Sequence, residues 1–353
     1  MAIGSHTIPA FYLAQFAEPS GEDTRKWTLC VYQKNKRPRI SSTERQGFEN
    51  GYFGPIRDDG KIDTDSEISL EQSLRDIEKR SQEMLVCARS PVADLTSNQN
   101  RNKLAFYMGL LFARATSRQR FSRGNSAKLK VTLEELMQNE AFVRDLADFY
   151  NNKRGVPTTR EEAIESLRSQ ADSLVDRKSV HNAFIRDLQT HANQCGSLLF
   201  EKSWQVWAAP QGVGFITSDN PIVSFVELQP GLWHPGYGFG RPNAIVAFPL
   251  CSSACLMMGI TGPEYRDVTV DDVIRVNETV IRCSHKFVYS RTHDDQLNTL
   301  IQQIGGTCIA GVNAFVGQFP NSTTLEDYLR KKLGMRPRIL LSEPSQPQFS
   351  NFT

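Results

Sequence analysis

Ser197-Leu198-Leu199-Phe200-Glu201-Lys202-Ser203-Trp204-Gln205-Val206-Trp207 is the stretch in which the chain changes its period. Before it, apolar residues recur at helical spacing. After it they come in short runs parted by Gly and Pro, the pattern of strands. Upstream, Ser69 to Arg89 carries Leu70, Leu74, Ile77, Met84 and Leu85 at helical spacing, with Ser69 and Gln72 placed as a capping box. Asn102 to Arg118 is apolar nearly all round between Leu104 and Ala113, which predicts a buried helix. Leu133 to Tyr150 and Arg160 to Cys195 add amphipathic helices on either side of the breaker Gly155-Val156-Pro157. Downstream, Trp204–Trp207, Gly214–Thr217, Ile222–Phe225, Ala244–Leu250 and Ala254–Ile260 read as strands, Asp271–Cys283 as a helix and Lys286–Ser290 as a further strand.

Working outward to the N-terminus, Pro9 opens a short helix running through Phe16, and Trp27–Tyr32 reads as a strand. Because the helical block interrupts the strands, the early strand should lie in the same sheet as at least one of the strands between Trp204 and Ile260. The fold class this predicts is α+β: a mainly antiparallel sheet from N-terminal and C-terminal strands with an inserted helical block. We expect one domain over residues 1–341, with the insertion at about 66–197, and a Ser/Pro/Gln-rich disordered tail over 342–353.

The 353 residues are 39% hydrophobic and 23% charged, which excludes a disordered chain, a collagen and a coiled coil. No run of uncharged apolar residues is long enough for a membrane-spanning helix. The opening MAIGSHTIPAFYLAQF lacks the basic start and unbroken apolar run of a signal peptide, so a soluble, cytoplasmic protein is expected. The seven cysteines, at 30, 87, 195, 251, 255, 283 and 308, are odd in number and unpaired in rhythm. Cys251 and Cys255 form the one close pair, without a second pair or a His at zinc spacing, and the set reads as small buried hydrophobes.

A net charge of +2 says little, but its distribution is uneven. From Leu95 to Leu133 there is no Asp or Glu, while Arg101, Lys103, Arg114, Arg118, Arg120, Arg123, Lys128 and Lys130 supply eight cations. A second basic run, Arg330, Lys331, Lys332, Arg336 and Arg338, lies near the C-terminus. Cations interleaved with Phe106, Tyr107, Phe112 and Phe121 suit a polyanion such as nucleic acid; the same run also suits a solvated face whose acidic partners come from elsewhere in the fold. The phosphate-binding Gly-x-x-x-x-Gly-Lys-Ser/Thr loop, the dinucleotide fingerprint, the Gly-x-Ser-x-Gly elbow and His-Glu-x-x-His are all missing.

Three local patterns remain. In His6-Thr-Ile-Pro9-Ala-Phe-Tyr12-Leu13, Pro9 holds Ile8 extended, so His6 projects from a fixed segment just ahead of a helix. A histidine there serves as a general base, as a metal ligand, or as a structural residue bonding a carbonyl. In Phe215-Ile216-Thr217-Ser218-Asp219-Asn220-Pro221-Ile222-Val223, an apolar strand delivers an Asp to its end, as a reactive carboxylate or as an ordinary turn former. Along the buried helix, Tyr107, Leu111, Arg114 and Arg118 follow one another at steps of four, three and four, so both arginines continue the apolar stripe. A buried guanidinium needs a counter-charge, which is either a carboxylate of the protein or an anionic ligand.

Taken together, the His-x-x-Pro-x-x-Tyr-Leu opening, Trp27–Tyr32, the Arg114 helix, Trp204 and above all Phe-Ile-Thr-Ser-Asp-Asn-Pro-Ile-Val resemble the bacterial domain-of-unknown-function family 4238. Ala247-Phe248-Pro249-Leu250 and Asn277 ahead of Phe287-Val288-Tyr289-Ser290 look like its later landmarks, and the resemblance covers roughly residues 5–290. Where that family carries Arg-Thr-Pro after the central helix, this chain has Arg114-Ala-Thr. The resemblance implies a fold and no established activity.

The leading expectation for function is a hydrolase acting on nucleic acid or another phosphate ester. His6 is then general base or ligand, Asp219 a ligand or second base, and Arg114 and Arg118 stabilise developing negative charge. Tyr12, Ser218, Asn220, Arg120 and Arg123 are the expected substrate contacts. A divalent metal would need a third ligand, for which Glu78 or Glu83 on the first long helix is in place. The alternative is a non-enzymatic binding module in which His6, Asp219 and Arg114 form a structural polar network, with nucleic acid or a phosphorylated small molecule as the partner.

Overall fold

The computed structural model describes residues 4–88, 97–154, 157–173 and 175–307. The early strand does share a sheet with a strand from beyond the helical block, β6 (Thr217–Ser218). Strand β2 (Thr28–Tyr32) lies between β3 (Arg39–Ser42) and β12 (Val288–Ser290), and β12 pairs in turn with β6. All three pairings of this four-stranded sheet are antiparallel. A six-stranded sheet runs in the order β11 (Tyr265–Asp267), β5 (Trp204–Ala208), β10 (Ala254–Met258), β9 (Ile245–Cys251), β7 (Val223–Gln229), β8 (Leu232–Pro235). Only its β11–β5 pairing is parallel. The short β1 (Gly4–His6) pairs with β4 (Phe48–Asn50). The fold is α+β, as the change of period predicts.

One core cluster gathers Cys30, Tyr32 and Val288 from the four-stranded sheet with Trp207, Phe225, Ala247, Cys255 and Met257 from the six-stranded one. Helix α9 (Val270–Cys283) adds Val273, Val276, Val280 and Ile281. Its start is fixed by a capping box: Thr269 Oγ1 accepts from Asp272 N at 3.2 Å, and Asp272 accepts from Thr269 N at 3.1 Å. Of the seven cysteines, 30, 195, 251, 255 and 283 are described with their side chains, and all five are buried, as small hydrophobes are.

The helical block departs from its expected boundaries in two places that matter for the site. Helix α2 (Thr64–Cys87) starts five residues before Ser69, capped by Asp63, which accepts from Ser66 N; the Ser69–Gln72 capping box is not used. The buried helix α3 (Asn98–Ala113) ends at Arg114, and α4 (Thr116–Leu136) begins after a break at Ala115. Arg118 therefore lies on a new helix, α4, and not on the helix of Tyr107, Leu111 and Arg114. All ten residues from Leu104 to Ala113 are buried, because α8 (Leu188–Phe200) packs directly on α3. Gly109 makes that approach possible: a Cβ there would lie 2.1 Å from the Ala192 carbonyl oxygen.

The described residues fall into two compact units, one from 4–124 and 176–307 and the other from 125–175. The second has its own core of Leu133, Phe142, Val143, Leu146, Tyr150 and Leu167, from the end of α4, α5 (Glu140–Arg154) and α6 (Arg160–Ser173). No helix among the described residues is long and apolar enough to cross a membrane. The side chains of Arg118, Arg120 and Arg123, and the residues from 308 on with the second basic run and the 342–353 tail, lie outside what is described.

Candidate functional site

Arg114 is the largest fully buried side chain in the described chain, with no solvent exposure. Its stem continues the α3 stripe and its head meets an acid that no local sequence pairing supplies. Nη1 donates to Glu78 Oε1 at 2.6 Å, across 36 positions. Glu78, and not the exposed Glu83, is the α2 carboxylate brought to the site. Glu67, Glu71 and Glu78 stand four and seven apart and so share one face of α2. Glu67 is buried and accepts from Ser5 Oγ at 2.5 Å, tying β1 to the helix. Gly54 closes over it, since a Cβ at that position would sit 3.2 Å from Glu67 Oε2.

Glu71 is buried as well, and its Oε1 has no hydrogen-bond partner among the described residues. Burial pushes its carboxyl up from the ordinary value, and the neighbouring Glu78 charge adds to this, while Ser5, Arg114 and His6 pull the other way. Tyr107 places a buried hydroxyl, likewise unpartnered, within electrostatic reach of Arg114 and Glu78. Burial raises its pKa well above the usual phenol value. Arg114 itself is only half used. Nε and Nη2, which form one edge of the guanidinium, are buried without a hydrogen-bond partner among the described residues.

His6 borders this cluster through Glu71 and is half-buried at the end of β1. Its ring meets Phe48 edge-on at 5.5 Å, and Nε2 donates to the Glu44 carbonyl at 3.2 Å. Nearby, His181 is locked in the core: Nε2 donates to the Gly54 carbonyl and Nδ1 accepts from Gln119 Nε2, both at 2.9 Å.

Asp219 is elsewhere, in the frame. Its Oδ1 accepts from His285 N at 2.8 Å, and its Oδ2 from Lys286 N at 2.7 Å and Phe287 N at 3.0 Å. Asn220 Nδ2 donates to Cys283 O at 3.0 Å, and Ser218 Oγ bonds both the N–H and the carbonyl of Asn220. Ser-Asp-Asn-Pro is therefore a clamp on the loop between α9 and β12. Burial pushes the Asp219 carboxyl up to about 6 against the pull of those amides. Tyr12 is fully buried too, donating to Pro249 O and bonding Thr217 Oγ1, each at 2.8 Å, and it pins α1 (Ala10–Leu13) to β6 and β9.

Of the residues singled out in the sequence, the structure thus brings together Arg114, Glu78 and, at the margin, His6. No hydrogen bond or ion pair joins His6 to Asp219 among the described residues. Tyr12, Ser218 and Asn220 serve packing and the clamp. Sequence reasoning missed Ser5, Glu67, Glu71 and the hydroxyl of Tyr107. The four-and-seven spacing of the α2 glutamates is the available signal: they share the buried face of the helix with Leu74 and Leu85, where an acid needs a partner. No group of three or more His, Cys, Asp or Glu among the described residues is arranged to hold a metal ion.

A family model described as "Protein of unknown function (DUF4238)" matches residues 5–294. No curated protein and no solved structure matches the chain.

Proposed function

We propose that this chain, which belongs to the DUF4238 family, is a binding module that seats the oxyanion of a small phosphorylated molecule on the open edge of Arg114. The observation that carries this reading is the half-used guanidinium. Each buried polar atom left unmet costs about 1–3 kcal/mol. Four such atoms in one neighbourhood, Arg114 Nε and Nη2, Glu71 Oε1 and the Tyr107 hydroxyl, approach the whole stability of a domain, roughly 5–15 kcal/mol. A cluster of this kind calls for a partner, and the unpartnered Nε–Nη2 edge matches two oxygens of a phosphate.

The surrounding carboxylates do not repel the ligand as strongly as their number suggests. Glu67 is turned to Ser5 and Glu78 to Nη1. Glu71 is driven toward its uncharged form, in which its O–H becomes a donor for an incoming oxyanion. Glu78 keeps 16% of its side chain exposed, which gives the cluster a way to solvent. A fully buried edge suits a small molecule better than a polymer backbone. The binding reading needs only groups that lie together, whereas hydrolysis would need the Asp219 carboxylate at the same place, and the α9–β12 loop holds it.

Calorimetric titration of the full chain with inorganic phosphate and with a nucleoside monophosphate tests the proposal. Saturable 1:1 binding, lost in Arg114→Lys because a lysine has no planar edge, is the expected result. Absence of binding by either probe overturns it, and release of free phosphate from the monophosphate would return the hydrolase reading.

A further inference from the structure

A second feature lies on the same compact unit and is independent of the Arg114 reading. The turn joining β2 to β3, Gln33-Lys34-Asn35-Lys36-Arg37-Pro38-Arg39, holds four cations and no acid, and Lys34, Lys36, Arg37 and Arg39 are all exposed. It is not a loose loop. Asn35 takes the left-handed conformation at φ 64°, its N–H donates to Gln302 Oε1 at 2.6 Å, and Lys36 N closes the turn on Gln33 O at 3.1 Å. Lys34 Nζ donates to the Gly305 carbonyl at the end of α10 (Asp295–Ile304).

The antiparallel register, with Val288 opposite Tyr32, carries the exposed Lys286 to the same edge, opposite Lys34. The Lys286 ammonium and the Arg39 guanidinium both approach the Phe287 ring, at 4.8 and 5.7 Å. Between these elements lies a cavity of about 320 Å³ lined by Gln33, Lys34, His285, Lys286, Gly305 and Gly306.

Lys34 has an internal task, since cations complement a helix C-terminus. Lys36, Arg37, Arg39 and Lys286 do not share it, and among the described residues none of the five cations has a carboxylate partner. A rigid hairpin that presents unpaired cations in series fits a repeating charge. Arg39 and the exposed Ile40 point to opposite faces of β3, so the cationic face carries no apolar anchor of the kind a lipid surface needs. We infer that the Lys34–Arg39 hairpin and Lys286 dock the phosphodiester backbone of a nucleic acid, with one phosphate at the mouth of the cavity between Lys34 and Lys286.

The test uses the full chain and a fluorescein-labelled 20-nucleotide DNA, single-stranded and duplex, with anisotropy read at several salt concentrations. The triple change Lys36→Gln, Arg37→Gln, Lys286→Gln alters exposed side chains only and should melt as the wild type does. It should weaken binding at least about tenfold at low salt and lower the salt slope by about 2–3, one counterion contribution per lost phosphate contact. Unchanged affinity and slope in the triple variant overturns the inference. So does loss of binding on Arg118→Gln, Arg120→Gln, Arg123→Gln instead, which would move the contact to α4. Binding to phosphatidylserine vesicles without binding to either DNA would overturn it in favour of a lipid surface.

Discussion

Arg114 and Glu78 meet through a single 2.6 Å hydrogen bond between Nη1 and Oε1, and among the described residues the guanidinium makes no other hydrogen bond. An arginine kept only for structure is commonly met by more than one acceptor, because its fork is wasted otherwise. Here one nitrogen holds α3 to α2, and the Nε–Nη2 edge lies buried near Glu71 and Tyr107 without a hydrogen-bond partner among the described residues. Everything proposed for the site follows from that asymmetry.

The Asp219 clamp makes a prediction with a definite sign. The carboxyl is pushed from its ordinary 3.8 up to about 6, so the folded chain holds that proton more tightly than the unfolded chain does. Stability from this group is therefore greatest below about pH 4 and falls as pH rises to about 6, by up to about 3 kcal/mol. Asp219→Asn removes the slope. It also sets an amide NH₂ against backbone N–H groups of His285–Phe287, at a cost of about 1–3 kcal/mol. Denaturant melts of both chains from pH 4 to pH 7 should converge as pH rises; parallel profiles would contradict the upward push of burial on the Asp219 carboxyl.

Gly109→Ala tests the α3–α8 crossing. The added methyl would lie 2.1 Å from the Ala192 carbonyl and 2.7 Å from Gly196 N, both backbone atoms that cannot swing aside. Helix propensity favours alanine by about 1 kcal/mol, but overpacking of this kind costs about 1–3 kcal/mol and more where backbone is struck. A net loss of about 2 kcal/mol is expected in urea melts. A stabilised variant would mean the helices are farther apart than described.

Glu71 gives the site a pH dependence of its own. Burial beside Glu78 holds its carboxyl above the ordinary range, so the oxyanion-compatible, protonated form is gained as pH falls. With sulfate as the probe, whose own charge is constant, wild-type affinity should rise from pH 8 to pH 5. Glu71→Gln donates at every pH and should bind with the wild type's low-pH affinity throughout. Equal pH dependence in both chains would remove Glu71 from the site.

How much of this was legible in the sequence divides along physical lines. The fold was, because the passage from helical to strand spacing after Ser197 and the apolar run Trp27–Tyr32 are local signals of burial. The Ser-Asp-Asn-Pro element was visible, but its role was not: whether Asp219 faces a ligand or the amides of His285–Phe287 depends on a loop 66–68 positions away. Arg114 was read as buried from its stripe, yet its partner on α2 could not be, since nothing in spacing couples two helices. The break at Ala115 escaped because Ala-Thr is a weak stop, and with it went the expected place of Arg118. The cations from Lys34 to Arg39 are neighbours in the sequence already; only the register with β12 adds Lys286 to them.

The most direct test of the central claim is a set of four thermal melts: wild type and Arg114→Ala, each with and without saturating inorganic phosphate. Removing Arg114 leaves Glu78 without its partner and is expected to cost about 3 kcal/mol in ligand-free protein, at the low end for a broken buried pair because Glu78 touches water. Phosphate at 100 times its dissociation constant should stabilise the wild type by about 2.7 kcal/mol and leave Arg114→Ala unmoved. The contradicting result is a wild type whose melting temperature phosphate does not shift, together with the full loss on Arg114→Ala, which would make Arg114 and Glu78 a structural ion pair and nothing more.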